Sequence, residues 1–320
     1  MDDDILRPVP QDDRVRDIRL PVRLYTSKYA HRLIPARVAL AIAAAVGTPG
    51  QRHDKATERR QAEHLMKDLL LHTPRAGEAR ELARRNVVEA ACLRELFWRP
   101  WLLKRSRVIG QEHWHAAHAG GRGCLVVVGH LGGLFALAPV LWRHGFGVIS
   151  VATPDYWAPM PPGFLGRFTL RLRDYAEAFG QGHAIPSNVA PEVLVELLER
   201  GESVLIAFDM PGTAATPFLG RSIALAGGPA TLAFRTGVRV LPVLPARHGS
   251  RIDVRLYEPL DPADHRDAAS LRAAIAAVFE RVVLAHPEIV DFTWYPSPLV
   301  TEVPPDAPPA EAMAMEGNDA

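Results

Sequence analysis

The spacing of apolar residues changes character about a third of the way along the chain. From Lys55 to about Arg105 they recur at helical intervals among mixed charges, with Leu65, Leu69 and Leu70 and a turn signal at Thr73-Pro74, which predicts two or three helices. Further on, the pattern becomes short, continuous apolar runs. Residues 124–128 (CLVVV) follow the glycine-rich GGRG and are rich in β-branched side chains, the pattern of a strand covered on both faces. Similar runs predict strands over 148–152, 203–208 and 238–244, separated by helices over 134–142, 191–200 (stopped by Gly201) and 229–236. This alternation gives an α/β class: a mostly parallel central sheet flanked by helices. No internal repeat is present.

Residues 1–54 form a partly irregular N-terminal segment, 55–296 the main domain, and 297–320 a tail. The tail, rich in Pro, Ala and acidic residues, has too little apolar content to pack and is expected to be disordered. The start, MDDDILRPVPQDD, is acidic and lacks the basic-then-apolar order of a secretion signal. The one long apolar stretch, 38–46, is roughly half of the ~20 residues a spanning helix needs, so no transmembrane helix is expected.

Composition adds limits rather than direction. With 48% hydrophobic and 23% charged residues the chain is ordinary for a globular enzyme, and a net charge of +1 gives no global field for nucleic acid. Basic clusters near Arg84 and over 104–107 read as solvated helix surface or as a local basic face. Cys92 and Cys124 sit in apolar contexts without metal-ligand spacing and are expected to be reduced core residues of a cytoplasmic protein.

In parallel sheets ligands gather just past the strand ends. Two polar side chains occupy such positions: His130, after CLVVVG, and Asp209, after SVLIAF. An imidazole titrates near neutrality and can take a proton from an attacking hydroxyl or amine. Gly129, Gly132 and Gly133 would let a substrate approach the backbone, and a helix starting near Leu131 would offer N–H groups for a developing oxyanion. By itself Gly-His-x-Gly-Gly fits a structural histidine equally well. Glu112, His113, His115 and His118 share a helix face at metal-like intervals but lack a matched second ligand group, so no metal is assigned. Trp98, Trp101 and Trp114 read as core or interface aromatics, His286 as a packing residue, and His183 and His248 as loop residues without evident partners.

The order of blocks resembles the lipid A lauroyl/myristoyl acyltransferase family. The blocks are VIGQEHWHAAHAGGRGCLVVVGHLGGLFAL, LVELLERGESVLIAFD, TPFLGRSIALAGGPATLAFRTGVRVLPVLPAR and AHPEIVDFTW, with RRNVVEAACLREL similar to the family's N-terminal region. They run in order over roughly residues 55–295. The resemblance implies a glycerolipid acyltransferase-like fold and transfer of an acyl group from an acyl carrier protein or CoA thioester, with no other cofactor. It implies His130 as general base and Asp209 as the acid after the later strand, and it puts Phe218, Gly220 and Arg221 in an acceptor-binding loop and Arg173 at a family arginine. Gly132, Gly133, Phe135, Asp155 and Tyr156 join these as expected substrate-binding positions. An arginine such as Arg221 could pair with phosphate, or form a surface salt bridge.

One departure stands out. The family places Asp or Glu five residues after the histidine, and this chain has Phe135 there. Three outcomes are open: Asp209 or Asp155 reaches His130 from another strand, the acceptor is more reactive, or transfer is lost and only binding remains. VATPDYWAPMPP also departs from the family's basic acceptor segment and carries Tyr156 and Trp157. The expected function is therefore acyl transfer to a hydroxyl or amine, with specialised metabolism as a setting. The alternatives are a pseudoenzyme partner, or cyclisation or condensation of a carrier-bound substrate. A cytoplasmic location leaves room for peripheral contact with the inner face of the membrane.

Overall fold

The computed structural model describes residues 28–46, 55–152 and 184–291. Its centre is a seven-stranded sheet built from β1 (Val108–Ile109), β2 (Leu125–Val128), β3 (Ile149–Ala152), β4 (Ala184–Pro186), β5 (Val204–Ala207), β8 (Val240–His248) and β9 (Arg251–Leu256). The order is β1-β9-β8-β2-β5-β3-β4, and every neighbouring pair is parallel except β8 with β9. A separate antiparallel hairpin, β6 (Pro211–Phe218) and β7 (Arg221–Leu225), follows β5.

The strand at the middle explains the layering. Leu125 and Val127 of β2 enter one core, and Cys124, Val126 and Val128 enter the other, as the two-residue period of a strand requires. The first core is closed by α3 (Lys55–Leu70), α7 (Pro191–Glu199), α8 (Gly228–Thr236), α9 (Ala268–Ala285) and the start of α4 (Ala79–Phe97). The second is closed by the end of α4, α5 (Gln111–Ala117) and α6 (Leu137–Arg143). Helices on both faces are what a parallel sheet needs to bury both sides of its strands.

Four expected strands and the helices between them form within a few residues of the positions read from the sequence. The hairpin, β9 and the long helix α9 are additional. Asp267 opens α9 with a capping box, its side chain accepting from the Ser270 N–H while the Ser270 hydroxyl accepts from the Asp267 N–H. The N-terminal segment is helical where described: α1 (Lys28–Leu33) and α2 (Ala36–Val46). Ala39, Leu40 and Ala43 of α2 are buried, and the His31 ring stacks on Trp98 at 5.7 Å. No helix among the described residues is long and apolar enough to cross a membrane.

Candidate active site

Parallel register brings the two polar strand-end residues together. Val128 pairs with Ala207, and the Phe208 N–H donates to the Val128 carbonyl at 2.8 Å, so two steps beyond Val128 the chain is level with two steps beyond Ala207. His130 therefore stands beside Asp209. The Asp209 carboxylate takes two hydrogen bonds from this one residue: Oδ1 lies 2.9 Å from the His130 ring Nδ1, and Oδ2 accepts the His130 backbone N–H at 2.7 Å. Asp209 is buried, 3% exposed, whereas the His130 side chain is 20% exposed.

This geometry sets the chemistry of the ring. A carboxylate at Nδ1 requires the proton on that nitrogen, which puts the lone pair of the neutral imidazole on Nε2. Burial by itself would lower the His130 pKa. The Asp209 hydrogen bond and charge, with the Asp291 charge added, outweigh burial and hold it above its ordinary value. The pair is an imidazole with an aligned, buried carboxylate at its Nδ1.

Phe135, where the family has its acid, packs its ring edge-to-face on Phe97 with centroids 4.9 Å apart. That position belongs to an apolar cluster, and the acid reaches the histidine from β5 instead.

The glycines after His130 serve packing more than access. Gly132 has φ +59, and a Cβ there would lie 2.1 Å from the Pro245 carbonyl oxygen; one on Gly133 would strike the Ile252 side chain. The backbone donors expected to face an oxyanion are also committed. The N–H of Leu131 donates to Gly129 O (2.7 Å), that of Gly132 to Ile289 O (2.7 Å) and that of Gly133 to Pro245 O (3.1 Å). The expectation of oxyanion donors at these three positions is corrected accordingly: a carbonyl of the loop itself takes the Leu131 N–H, one from the segment after α9 that of Gly132, and one from β8 that of Gly133. Helical turns begin only at Leu134.

Phe218, Gly220 and Arg221 gather at the tip of the β6–β7 hairpin. Phe218 is buried with its ring 6.3 Å from Phe208, and the two central turn residues both have positive φ, Leu219 at 52° and Gly220 at 76°. A Cβ on Gly220 would lie 2.8 Å from the His72 carbonyl oxygen, and Arg221 donates through Nη2 to the Asp68 carbonyl at 2.6 Å. These residues dock the tip on the end of α3. Asp155, Tyr156, Arg173 and His183 lie outside the described residues.

The histidine cluster on α5 has other duties. His118 places Nδ1 2.8 Å from the Trp114 carbonyl and Nε2 2.8 Å from the hydroxyl of buried Ser203, anchoring the end of α5 to the residue that leads into β5. His115 is edge-on to Phe146 at 6.2 Å. Cys92 and Cys124 are buried free thiols, and burial pushes Cys124 up to about 12.

Sequence reasoning missed Asn86 and Asp291. Asn86 is a buried amide in the Leu82–Ala83 stripe of α4, and an amide within an apolar stripe is the signal that could have found it. It donates to the Glu288 carbonyl at 2.9 Å and to the Val290 carbonyl at 2.7 Å.

The family model described as bacterial lipid A biosynthesis acyltransferase matches residues 96–295, more than half of the chain. The chain belongs to this family. It is an acyltransferase, and the family match spans both His130 and Asp209. Among solved structures, it is similar to the 1-acyl-sn-glycerophosphate (LPA) acyltransferase PlsC from Thermotoga maritima, at 17% identity and a TM-score of 0.37, covering 81% of this chain and 97% of that one. Comparison with curated proteins finds no match.

Proposed function

We propose that this acyltransferase moves an acyl group from an acyl carrier protein or CoA thioester to a hydroxyl or amine, with His130 as general base. The observation that carries the reading is the double hold of Asp209 on His130, through ring and backbone. Neutral Nε2 takes the proton of the acceptor O–H or N–H as the acceptor atom attacks the thioester carbonyl. The C–S bond then breaks, and the imidazolium returns the proton to the departing thiolate. Asp209 stays ionised throughout, fixing the tautomer and stabilising the imidazolium. No cofactor beyond the thioester is called for.

The acceptor is amphiphilic or carrier-tethered and belongs to specialised metabolism rather than being lipid A itself. The replacement of a basic acceptor segment by one carrying Asp155, Tyr156 and Trp157 supports this, with Arg173 joining the substrate-binding positions by its resemblance to a family arginine. Phe218, Gly220 and Arg221 support the site through the hairpin they anchor.

A peripheral contact with an anionic bilayer on its cytoplasmic face completes the reading. Leu33 at the end of α1, Ile34 in the link after it, and Val38 and Ile42 of α2 are exposed, and the segment Lys28–Val46 holds Lys28, Arg32 and Arg37 but no acidic residue. An apolar stripe with basic flanks suits the boundary between acyl chains and phosphate headgroups.

The test is incubation of purified protein with carrier and CoA thioesters of several chain lengths and a mixture of hydroxyl and amine acceptors, following free thiol and acylated product. Transfer by the wild type that is absent from His130→Ala supports the reading. Thiol release no greater than the His130→Ala control overturns it and favours a binding partner.

A further inference from the structure

The His130 loop is held from behind by a segment on which no catalytic role rests so far. After α9 the chain makes a 3-10 turn, Pro287–Ile289, and then runs antiparallel past the loop, with Leu131 bridged to Val290. Two backbone hydrogen bonds join them around the catalytic residue: Gly132 N–H to Ile289 O at 2.7 Å, and Asp291 N–H to His130 O at 3.0 Å. This strap is in turn held by one side chain. Asn86 uses both amide hydrogens, on Glu288 O and Val290 O, the two carbonyls that flank Ile289.

The arrangement is a relay of position. Asn86 is buried on the long helix α4, so it is a fixed point, and one of its amide hydrogens meets the carbonyl of the buried Val290, which would otherwise be left in a water-poor environment. Resting on the reading of His130 as general base, we propose that Asn86 is a positioning residue, which through the 288–291 strap fixes the backbone of His130 and Gly132 and so the aim of the imidazole between Asp209 and the acceptor. Asp209 fixes the ring from the β5 side, and the strap fixes the loop from the α4 side. The backbone of His130 is thereby held at both its N–H, by Asp209, and its C=O, by Asp291. Asp209 and Asp291 both act on the ring through their charge, and both favour its protonated form.

Two substitutions carry the test, measured with the acyl thioester and acceptor of the wild-type reaction. Asn86→Leu removes both donors at similar volume. Asp291→Pro removes the N–H that holds His130, and Asp291→Asn serves as its comparison because it removes the same carboxylate and keeps the N–H. Misplacement of a catalytic group by about 1 Å is worth roughly 100-fold in rate. The expected result is a kcat lower by about 10- to 100-fold in Asn86→Leu, and in Asp291→Pro relative to Asp291→Asn, with thioester KM within about threefold and the acidic limb of the kcat–pH profile displaced. If Asn86→Leu does not fold, the Asp291 pair decides alone. Unchanged kcat and pH limb in a folded variant, or a change in KM alone, overturns the proposal. Retained transfer in His130→Ala would instead remove the reading beneath it, a result distinct from failure of the strap.

Discussion

His130 and Asp209 are joined at two points, ring Nδ1 to Oδ1 at 2.9 Å and backbone N–H to Oδ2 at 2.7 Å, although 79 residues separate them in the chain. The link is a consequence of β2 and β5 pairing in parallel register, which brings residues equally far past each strand end face to face. An acid supplied by a neighbouring strand can do what an acid five residues along the same loop does elsewhere in the family. What matters to the imidazole is the carboxylate oxygen at Nδ1, not the segment that delivers it.

The pH dependence follows from the raised His130 pKa. A general base must be neutral, so the rate should climb with pH along a limb lying above the usual imidazole range. Stability runs the other way. Because the folded pKa exceeds the unfolded one, the ion pair contributes fully below the ordinary histidine value of about 6.5 and its contribution is lost as pH rises through the folded value. Titration of the His130 ring by NMR, beside the rate profile, checks both; a ring pKa at or below the ordinary value contradicts them.

Replacing Phe135 by Glu does not create a better dyad. Phe135 is half-buried against Phe97, so a carboxylate there loses an aromatic contact, at a cost of about 0.5–1.5 kcal/mol. Transfer by Phe135→Glu is expected to be equal to or below wild type, with a lower thermal midpoint. A several-fold gain in rate would mean that the family's usual position is the functional one.

Much of this was legible in the chain. Short apolar runs located β2, β3, β5 and β8 because strands buried on both faces tolerate little else, and the residues just past β2 and β5 stood out as polar. Which strand lies beside which did not follow from the runs, since pairing is settled by the packing of whole helices; hence Asp209 and Asp155 both stayed open as partners for His130. The β6–β7 hairpin escaped because PGTAATPF starts with Pro-Gly and has weak strand propensity, whereas β9 (RIDVRL), with Ile252, Val254 and Leu256 alternating with charged residues, carried a strand signal within reach. The helix α9 was within reach: Asp267, Ser270 and apolar residues at 271, 275, 278, 279 and 282 mark it. The oxyanion expectation failed for a non-local reason, carbonyls of Pro245 and Ile289 arriving from distant segments to take the N–H groups of Gly133 and Gly132.

Gly220→Ala tests the docking of the hairpin. The left-handed backbone at φ +76 and the nearby His72 carbonyl oppose a methyl group together, and a loss of about 1–3 kcal/mol is expected. Denaturant unfolding measures it. A change within about 0.5 kcal/mol would show that the tip adapts without loss.

For the membrane face, the double variant Val38→Glu, Ile42→Glu places two charges on the exposed stripe of α2 without touching the buried Ala39, Leu40 and Ala43. Cosedimentation with vesicles containing phosphatidylglycerol should fall by about tenfold, from lost apolar burial and added repulsion together. Equal sedimentation by wild type and variant would remove α2 from the contact.

The most direct measurement is the kcat of Asp209→Asn against wild type across pH with one thioester and one acceptor. If the carboxylate fixes the tautomer and steadies the imidazolium, kcat falls by about 10³- to 10⁴-fold and the limb due to His130 moves to lower pH. A folded Asp209→Asn protein that keeps its rate within a few-fold, on an unmoved limb, would contradict the account of His130 and Asp209 as a working pair.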